Sequence, residues 1–204
     1  MTTTAPRATA RRTRLSPEQR RAQLLDLGVR LLATRPVDEI SIDLLAEEAG
    51  ISRGLLYHYF GSKTDFHEAV VRRAADDLIA QTAPPETGDP LERLLASMDA
   101  YVAYVEANHE GYLSMVKAAA GGNESLRRIY DEARTSLTER LFGSAEQEGL
   151  LPDTALRRLV VDGWAAMVES LVLDWVADPA GVTRAEVLEV VSGSLPRLVE
   201  GLPD

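Results

Sequence analysis

The chain has 204 residues, enough for a sizeable core in one or two domains, and no cysteine, which excludes disulfides, zinc–thiolate sites and cysteine nucleophiles. No apolar run approaches the ~20 residues that span a bilayer, and no apolar segment follows the N-terminal charges as in a secretion signal, so a cytoplasmic protein without a membrane partner is expected. The net charge of −10 divides unevenly, +2 over residues 1–66 and −12 over residues 67–204, so a basic end can approach phosphates while an acidic body is held away from them.

Residues 1–14, MTTTAPRATARRTR, show no apolar periodicity and read as a disordered basic arm. That arm is either a solvated tail or a segment whose Arg7, Arg11, Arg12 or Arg14 reaches phosphates or a narrow minor groove. A helix is expected from Ser16 to Thr34, with Ser16 as its cap, Pro17 at its first position and Leu24, Leu27 and Leu31 on its apolar stripe. Arg35-Pro36 breaks it. Ser41 then caps a second helix in which Ile42, Leu45, Ala46 and Ala49 share one face, and Gly50 stops it. After Ile51 plugs the corner, Ser52 caps a short helix from Arg53 to Phe60, with Leu56 and Phe60 turned inward and Arg53, Gly54, Tyr57 and His58 left outside. Gly61 ends that helix and Ser62 caps the next. Two short helices joined by a glycine-containing turn, with polar and aromatic groups on the second, fit a helix-turn-helix that reads the major groove.

The ordered run Leu56-Tyr57-His58-Tyr59-Phe60-Gly61-Ser62-Lys63 resembles the signature of the TetR (tetracycline-repressor) family of bacterial transcription regulators. The likeness covers about residues 19–70. It implies a DNA-binding head over residues 15–62 and a ligand-binding and dimerisation body over residues 63–204. It places Tyr57 and Lys63 where the groove is anchored and the DNA backbone is met, and Arg53, Gly54 and His58 at the variable reading positions. Ser41 and Ser52 complete the expected contact set. Arg53 is suited to the O6 and N7 of guanine. Leu55 departs from the small or hydroxylated residue common at its position and is suited to a thymine methyl.

In the body, a helix from Lys63 to about Gln81 is, by the same resemblance, the lever between head and ligand. Residues 84–90 form a loop rich in Pro and Gly. A helix follows with Leu91, Leu94, Leu95, Met98, Val102 and Val105 on one stripe, and a break is expected at residues 108–111 before a short helix from Tyr112 to Ala120. Asn123 caps a helix to about Glu148, closed by Gly149, and Asp153 caps the helix that runs to Ala177. The last helix starts near Thr183, and Pro196 should kink or end it. No strand pattern appears. The expected fold is all-α, a three-helix head followed by a body of about six helices.

The 154–177 helix is apolar almost all round, which requires burial on nearly all sides and so implies a partner subunit. The resemblance points to a two-fold four-helix seam made with the last helix. Val168, Leu171, Trp175, Val187, Val191 and Leu195 are its expected residues. Aromatic and methionine side chains around glycine-broken helices are core by default, but they can also wall an apolar cavity. Met98, Tyr101, Tyr104, Tyr112, Met115 and Trp164 are the wall candidates, with Tyr104 and His109 as polar handles; a capped surface histidine is the plainer reading of His109. The acidic body favours an apolar, aromatic or weakly cationic ligand unless Lys117, Arg127 or Arg128 turns inward.

No phosphate-binding glycine loop, nucleophile elbow or paired-histidine metal motif is present, so neither an enzyme nor a cofactor is expected. The resulting reading is a homodimeric regulator, a repressor that a small molecule releases from a palindromic DNA operator. The competing readings are an architectural DNA-binding dimer without an inducer and a ligand carrier with a vestigial head.

Overall fold

The computed structural model describes residues 16–142 and 149–202; the N-terminal arm expected over residues 1–14 lies outside them. Among the described residues the chain forms eight α-helices and one 3₁₀ turn, with no strand. α1 (Pro17–Leu32) starts at a reciprocal cap in which the Gln19 N–H donates to Ser16 Oγ and the Ser16 N–H donates to Gln19 Oε1. A 3₁₀ turn (Val37–Glu39) leads to α2 (Ile42–Ala49) and α3 (Arg53–Phe60). Both helices start at serine caps: the Leu44 N–H donates to Ser41 Oγ at 3.0 Å and the Leu55 N–H to Ser52 Oγ at 3.3 Å. Gly50 lies between them at φ +63°, the left-handed conformation that only a residue without a Cβ adopts freely. Leu45 and Leu56 are completely buried where the two helices meet α1, and each such leucine contributes about 1.5–3 kcal/mol.

α4 (Lys63–Gln81) leaves this three-helix unit and packs against α1, α5 (Pro90–Ala120) and α6 (Glu124–Glu139). Its contact with α1 is close. A Cβ at Gly28 would lie 2.4 Å from Val70 Cγ2. α7 (Ala155–Ala177) and α8 (Arg184–Val199) complete the bundle on the other side of α5. α1 and the 3₁₀ turn also touch α5 directly. A Cβ at Gly111 would sit 2.2 Å from the Leu32 carbonyl oxygen, and the Val37 N–H donates to Ser114 Oγ at 3.0 Å. Both contacts fall just after the bend in α5.

Several boundaries differ from the sequence expectation. The break at residues 108–111 is a kink within one helix: only Asn108 leaves helical geometry, at φ −128° and ψ 24°, and its side-chain amide donates to the Tyr104 carbonyl at 2.8 Å, keeping that acceptor satisfied across the bend. The sixth helix ends at Glu139, with Arg140 as its cap; the remainder of its expected span reaches residues 143–148, outside the described residues. Thr154, not Asp153, caps α7, because Asp153 is engaged by Arg158 at 2.6 Å. α8 runs past Pro196 to Val199; the donor that proline lacks is lost only one turn from the helix end.

Candidate nucleic-acid interface and internal cavity

The outer face of α3 carries its polar and aromatic groups free of the core. Arg53, Gly54 and His58 are exposed, and Tyr57 is 48% and Leu55 36% exposed. The fold itself does not require glycine at position 54: the nearest heavy atom to a Cβ placed there is Ser52 Oγ, 4.0 Å away. Gly54 is the second residue of α3, and a glycine there leaves room for close approach of something outside the chain. Arg53 forms an ion pair with Asp43 of α2, and both side chains remain mostly exposed. Asp43 therefore holds the guanidinium over the gap between the two helices, and reading a base requires Arg53 to leave Asp43 or share it. Lys63, also exposed, sits at the first position of α4 and donates to the Asp38 carbonyl at 3.3 Å. Its Nζ is thereby held beside the 3₁₀ turn that precedes α2. Behind this surface the His67 ring meets the Ile40 carbonyl at 2.7 Å, tying α4 to the start of α2.

The body encloses a cavity of about 110 Å³ between α4, α5, α6 and α7. By a measure in which one water occupies roughly 10–15 Å³, that is room for about seven to eleven water-sized atoms. Met98, Tyr101, Tyr112, Met115 and Trp164 all line it. Neither expected handle does, and Tyr104 is thereby missing from the expected wall as well. The Tyr104 hydroxyl donates to the Ala74 carbonyl at 2.9 Å and fastens α5 to α4, beside a separate gap of about 20 Å³. His109 lies off the cavity, with its Nδ1 3.7 Å from Glu110.

The polar groups that do face the cavity come from Tyr101 and Tyr112, expected as walls, and from Glu169, Tyr130 and Arg134, which the sequence reading passed over. Glu169 of α7 accepts from Tyr112 at 2.9 Å and from Tyr130 at 2.8 Å, and the Tyr101 and Tyr112 hydroxyls are 3.1 Å apart. An ionised carboxylate only accepts, so the hydroxyl directions are set: Tyr112 and Tyr130 donate to Glu169, and Tyr101 donates to Tyr112. Arg134 donates to the Tyr130 oxygen at 3.3 Å and to the Asp162 carbonyl. Burial pushes the Tyr101 and Tyr112 hydroxyls well above their ordinary range, which keeps them neutral donors. This network joins both limbs of the bent α5 to α6 and α7. Arg140 lies at the other end of α6, against the end of α4.

The expected dimer residues divide. Val168, Val187, Val191 and Leu195 are buried in the protomer's own core, and Leu171 and Trp175 are half-buried. The stripe that held them is the inner one, and apolar periodicity alone does not tell the two sides of a helix apart. The outer sides carry Leu159 at 70% exposure and Met167 at 40% on α7, and Val190 at 52% and Leu198 at 47% on α8. Gly163 and Gly193 lie within these helices, with nothing of the chain within 4 Å of where a Cβ would stand.

A family model described as bacterial regulatory proteins of the tetR family matches residues 24–70, and one described as the tetracyclin repressor-like C-terminal domain matches residues 90–192. The chain is 33% identical over 101 residues to the HTH-type transcriptional activator FasR of Mycolicibacterium smegmatis, a stretch covering 48% of this chain and 46% of that one. It is 34% identical over 133 residues to the HTH-type transcriptional repressor KstR2 of Mycobacterium tuberculosis, 64% of this chain and 66% of that one. Thus the matched stretch spans about half to two thirds of the length of these curated relatives. Among solved structures, a tetR-family transcriptional regulator from Streptomyces coelicolor superposes with a TM-score of 0.79 at 31% identity, over 91% of this chain and 82% of that one. With both halves matched by the family's models and the whole bundle matched by one of its solved members, the chain belongs to the TetR family of bacterial regulatory proteins.

Proposed function

We propose that the protein is a homodimeric, sequence-specific DNA-binding repressor whose α3 enters the major groove and whose hold on DNA is relieved by a small apolar or aromatic molecule in the body cavity. The observation that carries the DNA-binding part is the outer face of α3. Its arginine, histidine and tyrosine are exposed on a helix fixed from behind by Leu56 and Phe60, and its glycine has no task within the fold. In this reading Tyr57 and Lys63 hold the DNA backbone, while Arg53 and His58 meet base edges.

The dimer uses the outer sides of α7 and α8. Four exposed apolar side chains, Leu159, Met167, Val190 and Leu198, lie there, and Gly163 and Gly193 let partner helices approach closely. A two-fold dimer requires a two-fold operator, with half-sites about one DNA turn apart or a multiple of it.

Selection of bound duplexes from a random DNA pool with the full chain tests this reading. The expected result is a single enriched palindrome, contacted in both halves. Binding with no enriched sequence supports the architectural alternative and removes the regulator reading. A reporter placed behind the selected palindrome fixes the sign; a rise in expression with the protein present contradicts repression.

A further inference from the structure

Arg140 caps α6 and lines the cavity, half-buried. Its Nη1 donates to the Thr82 carbonyl at 2.9 Å and to Thr82 Oγ1 at 3.3 Å, and its Nη2 donates to the Ile79 carbonyl at 2.6 Å. All three acceptors are neutral. They belong to the last turn of α4 and its cap, where unpaired carbonyls collect. Among the described residues Arg140 forms no ion pair, and desolvation holds its guanidinium below the ordinary range. A part-buried cation that meets only neutral acceptors among the described residues still gains from an anion, because burial costs the charged form and a nearby opposite charge favours it. The cavity's carboxylate does not serve, since Glu169 is occupied by two tyrosines at the far end. Tyr130 and Arg140 stand ten residues apart along α6 and its cap, about 15 Å at 1.5 Å per residue. Between the ends the wall is apolar, with Leu78, Leu94, Met115, Ala133 and Leu137.

We propose that the cavity takes an apolar molecule bearing one carboxylate, that Arg140 binds this carboxylate, and that doing so draws Arg140 off the C-terminal carbonyls of α4. This rests on the reading of the cavity as the ligand site and names the class of ligand. It reverses the expectation drawn from the acidic body. Lys117, Arg127 and Arg128 do stay on the surface, the two arginines paired with Asp131 and Glu132, but the cation that matters is Arg140. A charge-assisted bond to a carboxylate is roughly twice as strong as a bond to a neutral oxygen, so the ligand competes effectively for the guanidinium. Its binding frees the end of the helix whose other end, at Lys63, adjoins α3.

Three eight-carbon probes of the right size (ten heavy atoms or fewer) separate the possibilities: octanoate, octanol and octylamine. Calorimetry with the full chain, followed in parallel by Trp164 fluorescence, is expected to show octanoate binding at least tenfold more tightly than either of the others. Arg140→Gln should bring octanoate down to the level of octanol, and Arg140→Lys should keep part of the preference. Equal binding of octanol or octylamine to the wild-type protein overturns the carboxylate assignment while leaving the cavity reading in place. An undiminished octanoate preference in folded Arg140→Gln protein overturns the role of Arg140. Absence of binding by all three removes the cavity reading and this proposal with it.

Discussion

The reading face of α3 and the cavity of the body are built by opposite rules. On α3 the side chains proposed to meet DNA carry almost none of the fold: Leu56 and Phe60 hold the helix from behind, while Arg53, Gly54, Tyr57 and His58 are exposed. In the cavity the polar side chains are themselves structural, since Glu169, Tyr112 and Tyr130 bind three helices together through the bonds that line the site. DNA binding should therefore be separable from stability by single substitutions, whereas ligand binding should not.

The strongest test of this contrast compares the two sides of the body's last helices. Val191→Asp places a charge in a fully buried position and is expected to abolish folding, with loss of the cooperative thermal transition. Leu159→Asp, on the 70% exposed outer side, should leave a folded monomer that no longer binds the palindrome. Light scattering and circular dichroism on the same samples check both, and a folded Val191→Asp protein contradicts the assignment of inner and outer faces.

Next in size are substitutions where head and body touch and where the cavity network closes. Gly111→Ala forces a Cβ against the Leu32 carbonyl and should cost about 1–3 kcal/mol in denaturant unfolding. Tyr112→Phe leaves Tyr101 without a partner and takes one of its two tyrosines from Glu169, at a similar cost of about 1–3 kcal/mol. Unchanged unfolding midpoints in Tyr112→Phe would mean that the network is not structural.

On α3 the expectation inverts. Arg53→Ala should change stability by no more than about 0.5 kcal/mol. It should also relax the preference at one base pair of each half-site by about 1–3 kcal/mol. Lys63→Ala should weaken binding to all sequences alike and flatten the salt dependence by about one phosphate. If repeated selection with Arg53→Ala returns the same motif, Arg53 is not a reader and the ion pair with Asp43 is its whole role.

The smallest effect is a pH dependence at the junction. Burial holds the His67 imidazole below its ordinary value of 6.5, outweighing the bond to the Ile40 carbonyl that acts in the other direction. The folded chain thus binds this proton less readily than the unfolded one. The stabilisation is fully present above pH 6.5 and is lost as pH falls through that value towards the folded one. His67→Gln should accordingly show a shallower fall in melting temperature on acidification than the wild-type protein, and equal slopes would remove His67 as the source.

The same contrast explains what could be read from the sequence. The helix-turn-helix is contiguous, and its caps at Ser41, Ser52 and Ser62 bond to N–H groups three residues on, so residue order alone discloses them. The cavity walls Met98, Tyr101, Tyr112, Met115 and Trp164 were legible as large side chains on broken helices. The groups that give the cavity its chemistry were not: Tyr130 meets Glu169 across 39 positions, and Arg140 meets Thr82 across 58. On the sequence these are ordinary charges and an ordinary tyrosine on amphipathic helices. The inner residues of α7 and α8 were assigned to the seam for a related reason. An almost wholly apolar helix announces that it is covered but not which side its own chain covers: on α7, Val168 is buried while Leu159 is exposed.

The central claim is that the α3 surface and the cavity are two ends of one equilibrium, and reciprocal titration tests it most directly. The affinity of the selected palindrome is measured with and without saturating amounts of the tightest-binding eight-carbon probe. The affinity of that probe is then measured with and without the palindrome. Linkage requires the two ratios to be equal, and a typical coupling of about 1–3 kcal/mol corresponds to a factor of roughly 5–150. Equal factors in that range, each ligand weakening the other, are the predicted result; a palindrome affinity unmoved by a saturated cavity would contradict the account.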